Sequence, residues 1–122
     1  MERAILIVDD SLTMRTNIRL ILESNGYRVI QAGDGMEAFA MAKTLGRVDA
    51  VITDLNMPNM DGIRLIQELR SLSEYRFTPI VMLTTESQPD KKEQGRRAGA
   101  TGWIVKPFQP EQLLAVLKKV IK

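Results

Sequence analysis

The amino-acid sequence predicts an α/β fold: a doubly wound, five-stranded parallel sheet with helices on both faces. Three observations point there. Five short runs along the chain are apolar at successive positions and too short for helices, which suits strands buried on both faces. Segments of helical periodicity separate these runs, and a β-α alternation of this kind gives parallel strands joined by crossover helices. The 122 residues contain no repeat, linker or low-complexity stretch, so a single domain spanning residues 1–122 is expected.

Each element has its own justification. Ala4-Ile5-Leu6-Ile7-Val8 is continuously apolar and stops at Asp9-Asp10. Met14, Ile18, Ile21 and Leu22 then recur at helical spacing, and Gly26 supplies a stop. Residues 28–32 read as a second, more polar strand at a sheet edge. Asp34-x-x-Glu37 resembles a capping box, opening a helix with Ala38, Ala42 and Leu45 on its apolar side. Residues 50–53 form the third strand, which ends at Asp54. A loop rich in turn formers follows, with Asn56, Pro58, Asn59, Asp61 and Gly62. Ile63, Ile66 and Leu69 mark the next helix. Pro79 to Leu83 is the fourth strand, closing on Thr84-Thr85. Pro89 and Asp90 open a helix that reaches Ala98. Gly95 weakens it, by about 1 kcal/mol relative to alanine. Trp103 to Val105 is the fifth strand. Gln109-Pro110-Glu111 starts a last helix whose apolar face is Leu113, Leu114, Leu117, Val120 and Ile121.

Composition narrows the chemistry. The chain has no cysteine and no histidine, which removes disulfides, thiolate chemistry, histidine bases, Ser-His-Asp triads and histidine-ligated zinc. Any metal must be held by oxygen, which favours magnesium, calcium or manganese. The net charge of +2 comes from 17 basic and 15 acidic residues, and nothing in that balance calls for nucleic acid. No stretch approaches the roughly 18 apolar residues of a membrane span, and no signal-peptide pattern precedes the first strand. A cytoplasmic protein is expected, with neither nucleic acid nor membrane as a partner.

In the predicted sheet the carboxyl ends of the strands form one rim, where ligands of such folds bind. Asp9, Asp10, Asp54, Thr84 and Lys106 all close strands and converge there. Three neighbouring carboxylates repel one another. A hard divalent cation removes that repulsion. Magnesium suits a few carboxylates plus waters and keeps positions open for a phosphoryl group. Lys106 offers the phosphoryl oxygens a positive charge, and Thr84 a hydroxyl donor. Asp54 stands alone at a central strand end, before a turn that can present backbone N–H groups. It is the best nucleophile candidate, and an aspartyl phosphate is an established product of carboxylate attack. Taken singly, these residues have plainer readings: aspartates as caps, Lys106 as a solvated lysine, Thr84 as a strand former. Their joint pattern carries the functional reading.

With these residues the chain resembles, over its whole length, the response-regulator receiver domain, and within that family the CheY-like single-domain chemotaxis regulators. Asp9-Asp10, Asp54, Thr84 and Lys106-Pro107-Phe108 fall where the family has its acidic pair, phosphoacceptor, switch hydroxyl and lysine. The run Asp54-Leu55-Asn56-Met57-Pro58-Asn59-Met60-Asp61-Gly62 is close to its most recognisable segment. The resemblance implies a flavodoxin-like (βα)5 fold with strand order 2-1-3-4-5 and a cis bond at Lys106-Pro107. It implies Mg2+ held by Asp10, Asp54, the backbone carbonyl of Asn56 and waters, with Asp9 acting indirectly. It also implies a two-component switch that accepts a phosphoryl group from a histidine kinase on Asp54. Such a switch catalyses only its own phosphorylation and autodephosphorylation, the latter tuned by Asn56 and Glu86.

Thr84 and Trp103 would be the switch pair. Tryptophan at 103 departs from the usual tyrosine or phenylalanine, and Leu55 is a second departure. The implied output is protein binding through residues 89–122, where Lys91, Lys92, Arg96, Arg97, Lys118, Lys119 and Lys122 favour an acidic partner segment. That partner would be a flagellar motor switch protein or another target, with a phosphatase as a further candidate. The last helix ends the sequence, so no effector domain is expected. Two alternatives stand beside this reading. One is a receiver acting as a phosphate sink for a shared kinase. The other is a haloacid-dehalogenase-like phosphatase, which needs an aspartate two residues after its nucleophile, where this chain has Asn56.

Overall fold

In the computed structural model, which describes residues 2–121, strands and helices alternate along the chain. They are β1 (Ala4–Val8), α1 (Leu12–Glu23), β2 (Arg28–Ala32), α2 (Gly35–Leu45), β3 (Ala50–Thr53), α3 (Gly62–Arg70), β4 (Ile80–Thr84), α4 (Pro89–Ala98), β5 (Gly102–Val105) and α5 (Pro110–Val120). All strand pairs are parallel, in the order β2-β1-β3-β4-β5. This is the predicted flavodoxin-like topology, with the more polar β2 at an edge. No helix among the described residues is long and apolar enough to cross a membrane.

The apolar runs behave as their patterning demands. β1, β3 and β4 are buried at every position, and successive side chains feed opposite faces of the sheet. Leu6, Val8, Val51 and Met82 meet α2 and α3 through Ala38, Ala42, Leu65, Ile66 and Leu69. Ile5, Ile7, Ile52 and Leu83 meet α1 and α5 through Ile18, Leu22, Leu113 and Leu117.

The helix starts are of two kinds. Ser11, Asp34 and Asp61 cap α1, α2 and α3 by accepting from the N–H groups of Met14, Glu37 and Arg64. α4 and α5 begin at Gln88 and Gln109 without a side-chain cap, each with a proline in its first turn.

Some boundaries and faces differ from expectation. β4 runs from Ile80 to Thr84 rather than from Pro79, because proline has no N–H to give the ladder. Thr84 stays in register with Val105, and its carbonyl accepts from Lys106 N at 2.9 Å. Leu45 is 38% exposed rather than part of the α2 core face. In the capping box, Asp34 takes the N–H of Glu37 as expected, but Glu37 Oε1 returns to Gly33 N, at 2.5 Å, instead of to Asp34.

The sequence pattern predicts no element between α3 and β4. That segment holds a 3-10 turn, Ser73–Tyr75, that buries the Tyr75 ring. The Tyr75 hydroxyl has no hydrogen-bond partner among the described residues. Arg70 organises this segment. Its Nη1 donates to the carbonyls of Tyr75 (2.7 Å), Arg76 (3.3 Å) and Thr78 (2.7 Å), and its Nη2 donates to Gly99 O at 2.6 Å. Burial lowers the pKa of this guanidinium. Gly99 closes α4 with φ +117, and a Cβ there would meet Arg70 Nε at 2.8 Å, so both backbone and space demand glycine.

Candidate functional site

The carboxyl ends of β1, β3, β4 and β5 deliver Asp9, Asp54, Thr84 and Lys106 to one rim. Parallel register fixes their depth: Asp54 N donates to Val8 O at 2.9 Å, and Asp9 N to Ala32 O at 3.2 Å. Carboxylate oxygens of Asp9, Asp10 and Asp54 lie within 4.8 Å of one another. Asp9 is buried, with 2% of its surface exposed, whereas Asp10 faces solvent.

Lys106 reaches into the cluster. Its Nζ donates to Asp9 Oδ2 at 2.9 Å and to Asp54 Oδ2 at 3.1 Å. Burial opposes the charged ammonium, but the hydrogen bond to Asp9 and the charges of Asp54 and Asp9 outweigh it, and the lysine pKa is raised. The Lys106-Pro107 peptide bond is cis. Asp54 Oδ1 accepts from Leu55 N at 2.7 Å, so the turn after β3 does aim an N–H at this carboxylate. Gly62 is essential to that turn. A Cβ there would lie 2.2 Å from Asp54 O. Asp9 is held through every polar atom. Oδ1 accepts from Ser11 N at 2.9 Å, and the main-chain carbonyl accepts from Arg15 Nη1 at 2.6 Å.

Three carboxylates converge, all donors are oxygen, and Asp10 has no partner for its side chain among the described residues. These residues fit a hard cation of the magnesium type.

Thr84 and Trp103 lie on the same face of neighbouring strands. Thr84 is fully buried, and its Oγ1 accepts from Glu86 N at 3.3 Å. The Trp103 ring is half-buried, and its Nε1 donates to Glu86 O at 3.1 Å. The two peptide groups of Glu86 therefore join the threonine hydroxyl to the indole. Asn56 is exposed on the loop after Asp54 and Glu86 is half-buried beyond Thr84. Trp103 also rests on α4, where a Cβ on Gly95 would meet its Cζ3 at 2.7 Å. Sequence reasoning found every strand-end residue but not Arg15, Arg70 or the Gly95 contact. None of these had a motif to mark it.

A doubly wound sheet with this strand order and this charged rim defines a class of signalling domain. Within that class the chain belongs to the response regulator receiver domain family, whose match covers residues 5–118. It is a phosphorylation-activated switch of a two-component phosphorelay, and domains of this family catalyse only their own phosphorylation and dephosphorylation. The chain is 40% identical over 119 residues to chemotaxis protein CheY-3 of Vibrio cholerae, covering 97% of this chain and 91% of that protein. It is similar to the structure of CheY4 from Vibrio cholerae, with a TM-score of 0.94, 47% identity and coverage of 99% and 100%. It also matches the receiver domain of sensor histidine kinase PA1611 from Pseudomonas aeruginosa, with a TM-score of 0.91, 32% identity and 98% coverage of each chain. That structure carries a magnesium ion coordinated in the active-site cleft.

Proposed function

We propose that Asp54 is the phosphoacceptor of a chemotaxis response regulator whose output is controlled binding of a protein target. The observation that carries this is the Lys106 ammonium seated between Asp9 and Asp54 within the three-carboxylate cluster. An Asp54 carboxylate oxygen attacks the phosphorus of a kinase phosphohistidine. An O–P bond forms, the N–P bond breaks, and the imidazole leaves. The Leu55 N–H and Lys106 fix the plane of the Asp54 carboxylate before attack. Lys106 then stands beside the oxygens on which charge gathers.

Asp10, Asp54 and the backbone carbonyl of Asn56 would hold Mg2+, with Asp9 supporting indirectly. The ion, when bound, supplies neutralisation of the clustered carboxylates and of the transferred group. Asn56 and Glu86 act on autodephosphorylation, in which water attacks the phosphorus, the Asp54 O–P bond breaks and inorganic phosphate leaves, by hydrogen-bonding that water.

The output follows from Glu86. After transfer the Thr84 hydroxyl, whose proton has no acceptor among the described residues, donates to a phosphoryl oxygen. Moving Thr84 disturbs the bond from Glu86 N, and with it the hold of Glu86 O on Trp103. α4 and β5 then shift together. A groove on this side is lined by Ser87, Pro89, Lys92, Arg96, Gly102 and Trp103. Arg96 and Arg97 are engaged by Glu93, whereas Lys91, Lys92, Lys118 and Lys119 make no ion pair among the described residues. Lys122, also expected on this surface, lies outside the described residues. The free lysines favour an acidic segment, such as one from a flagellar motor switch protein.

Two experiments test the reading. Acetyl phosphate with magnesium should label the wild type, and Asp54→Asn should abolish labelling. Labelling of that variant at another residue would exclude Asp54. The beryllofluoride form should bind an acidic motor-switch peptide more tightly than the unmodified form, with NMR shifts at Lys91 to Arg97, Trp103 and Lys118 to Lys119. Shifts confined to the α2–α3 side would exclude this output surface.

A further inference from the structure

Asp10 presents an exposed carboxylate that no hydrogen bond or ion pair among the described residues orients. Its direction depends on the peptide that joins it to Asp9, and among the described residues Arg15 is the one that holds that peptide. Arg15, half-buried in the first turn of α1, donates Nη1 to the Asp9 carbonyl at 2.6 Å. Its Nε donates to Gln31 Oε1 on β2 at 3.3 Å. The guanidinium thus spans from the sheet edge to the rim, and its planar fork fixes direction as well as distance. Its neighbours at the start of α2 lie within ordinary contact distance. A Cβ on Gly33 would lie 3.6 Å from Arg15 Nη1 and 3.7 Å from Glu37 Oε1.

We propose that Arg15 is a positioning residue for phosphoryl transfer. By holding the Asp9–Asp10 peptide plane, it sets the affinity of the acidic cluster for its divalent cation without touching the reacting atoms. The proposal rests on reading Asp9, Asp10 and Asp54 as a cation-binding cluster. Groups that orient metal ligands from outside commonly change affinity by roughly 10- to 100-fold when removed. Arg15 has two effects of opposite sign. Its positive charge repels the incoming cation, whereas its hydrogen bond orients the ligand. Removing it therefore gives a signed answer: tighter magnesium binding if charge alone matters, weaker binding if positioning wins.

The test is the magnesium dissociation constant of the unphosphorylated protein, by titration calorimetry well below the melting temperature. Arg15→Ala should weaken binding by roughly 10-fold. Arg15→Lys keeps the charge and one donor, and should recover part of the loss. Gln31→Ala frees the other arm of the fork and should weaken binding less than Arg15→Ala. In acetyl phosphate labelling, the magnesium concentration for half-maximal rate should rise in the same order, with the rate at saturating magnesium unchanged. Unchanged or tighter binding in Arg15→Ala overturns the proposal, even if that variant melts earlier. Should Arg15→Ala fail to fold, equal affinities in Arg15→Lys, Gln31→Ala and wild type overturn it instead. A wild-type chain that takes up no magnesium overturns the cluster reading itself, an outcome distinct from wild-type binding that is indifferent to Arg15.

Discussion

At the scale of single residues, the rim was legible because charge interrupts apolar runs. Asp9 and Asp54 follow fully buried strands and Lys106 follows the short apolar run Trp103-Ile104-Val105, and a parallel sheet brings such ends together whatever the loops do. Arg15 had no comparable signal. An arginine on the first turn of a helix looks like a solvated one until the neighbouring carbonyl is seen. Asp34 illustrates the same limit. Its capping of Glu37 was predictable, but its second partner, Asn59 Nδ2 at 3.0 Å, comes from 25 residues away. The N–H of Glu37 and the amide of Asn59 both favour the carboxylate, and hold its pKa below the usual 3.8. Asp34 is then more readily ionised in the folded chain than in the unfolded one. Its contribution is present above pH 3.8 and is lost as pH falls through the lower folded value. Asp34→Ala should cost about 1 kcal/mol at neutral pH. The gap between wild-type and variant urea midpoints should narrow on acidification below that window. A gap that stays constant there would detach the cap from this carboxylate.

At the scale of elements, the strands and four of the helices could be read from apolar spacing, whereas α4, which has no apolar stripe, could be read only from Pro89 and Asp90 at its start. The stretch from Ser71 to Thr78 could not be read. Its order comes from Arg70 gripping backbone carbonyls, which every residue possesses and no pattern announces. Arg70→Ala should destabilise the protein by about 3 kcal/mol, since it strands several part-buried carbonyls at once. Denaturant unfolding measures this, and a loss under about 0.5 kcal/mol, the level of an ordinary surface change, would contradict it. Gly95 carries the opposite lesson. Helix propensity marks it as a fault of about 1 kcal/mol, yet the glycine makes room for the Trp103 ring. Gly95→Ala should therefore destabilise the wild type and alter tryptophan emission. In a Trp103→Phe background, with its smaller ring, the same change should be neutral or stabilising. Equal effects in both backgrounds would separate Gly95 from Trp103.

At the scale of the whole molecule, the sheet separates two apolar layers. The α1–α5 side holds the β strands from one face, and the α2–α3–α4 side packs against Trp103 and the elements proposed to switch. A ligand of the rim should stabilise the entire fold by mass action, by about 2.7 kcal/mol at a hundredfold excess over its dissociation constant. Magnesium with beryllofluoride should raise the melting temperature more than magnesium alone. Because Trp103 is the only tryptophan, emission should respond weakly to magnesium and strongly to beryllofluoride. A large magnesium response with none to beryllofluoride would place the indole outside the switch. One asymmetry of α4 decides where such a change becomes visible. Its C-terminal end is pinned, through Gly99 O, by Arg70, while its N-terminal end starts at Gln88 without a side-chain cap, just past Glu86. α4 is thus a lever, with its fulcrum at Gly99 and its drive at Glu86. Over 10 residues it is about 15 Å long. On the proposed switch, displacement should be smallest at Ala98 and greatest at Pro89, so a partner that grips Lys91 and Lys92 should feel more of the stroke than one that grips the far end.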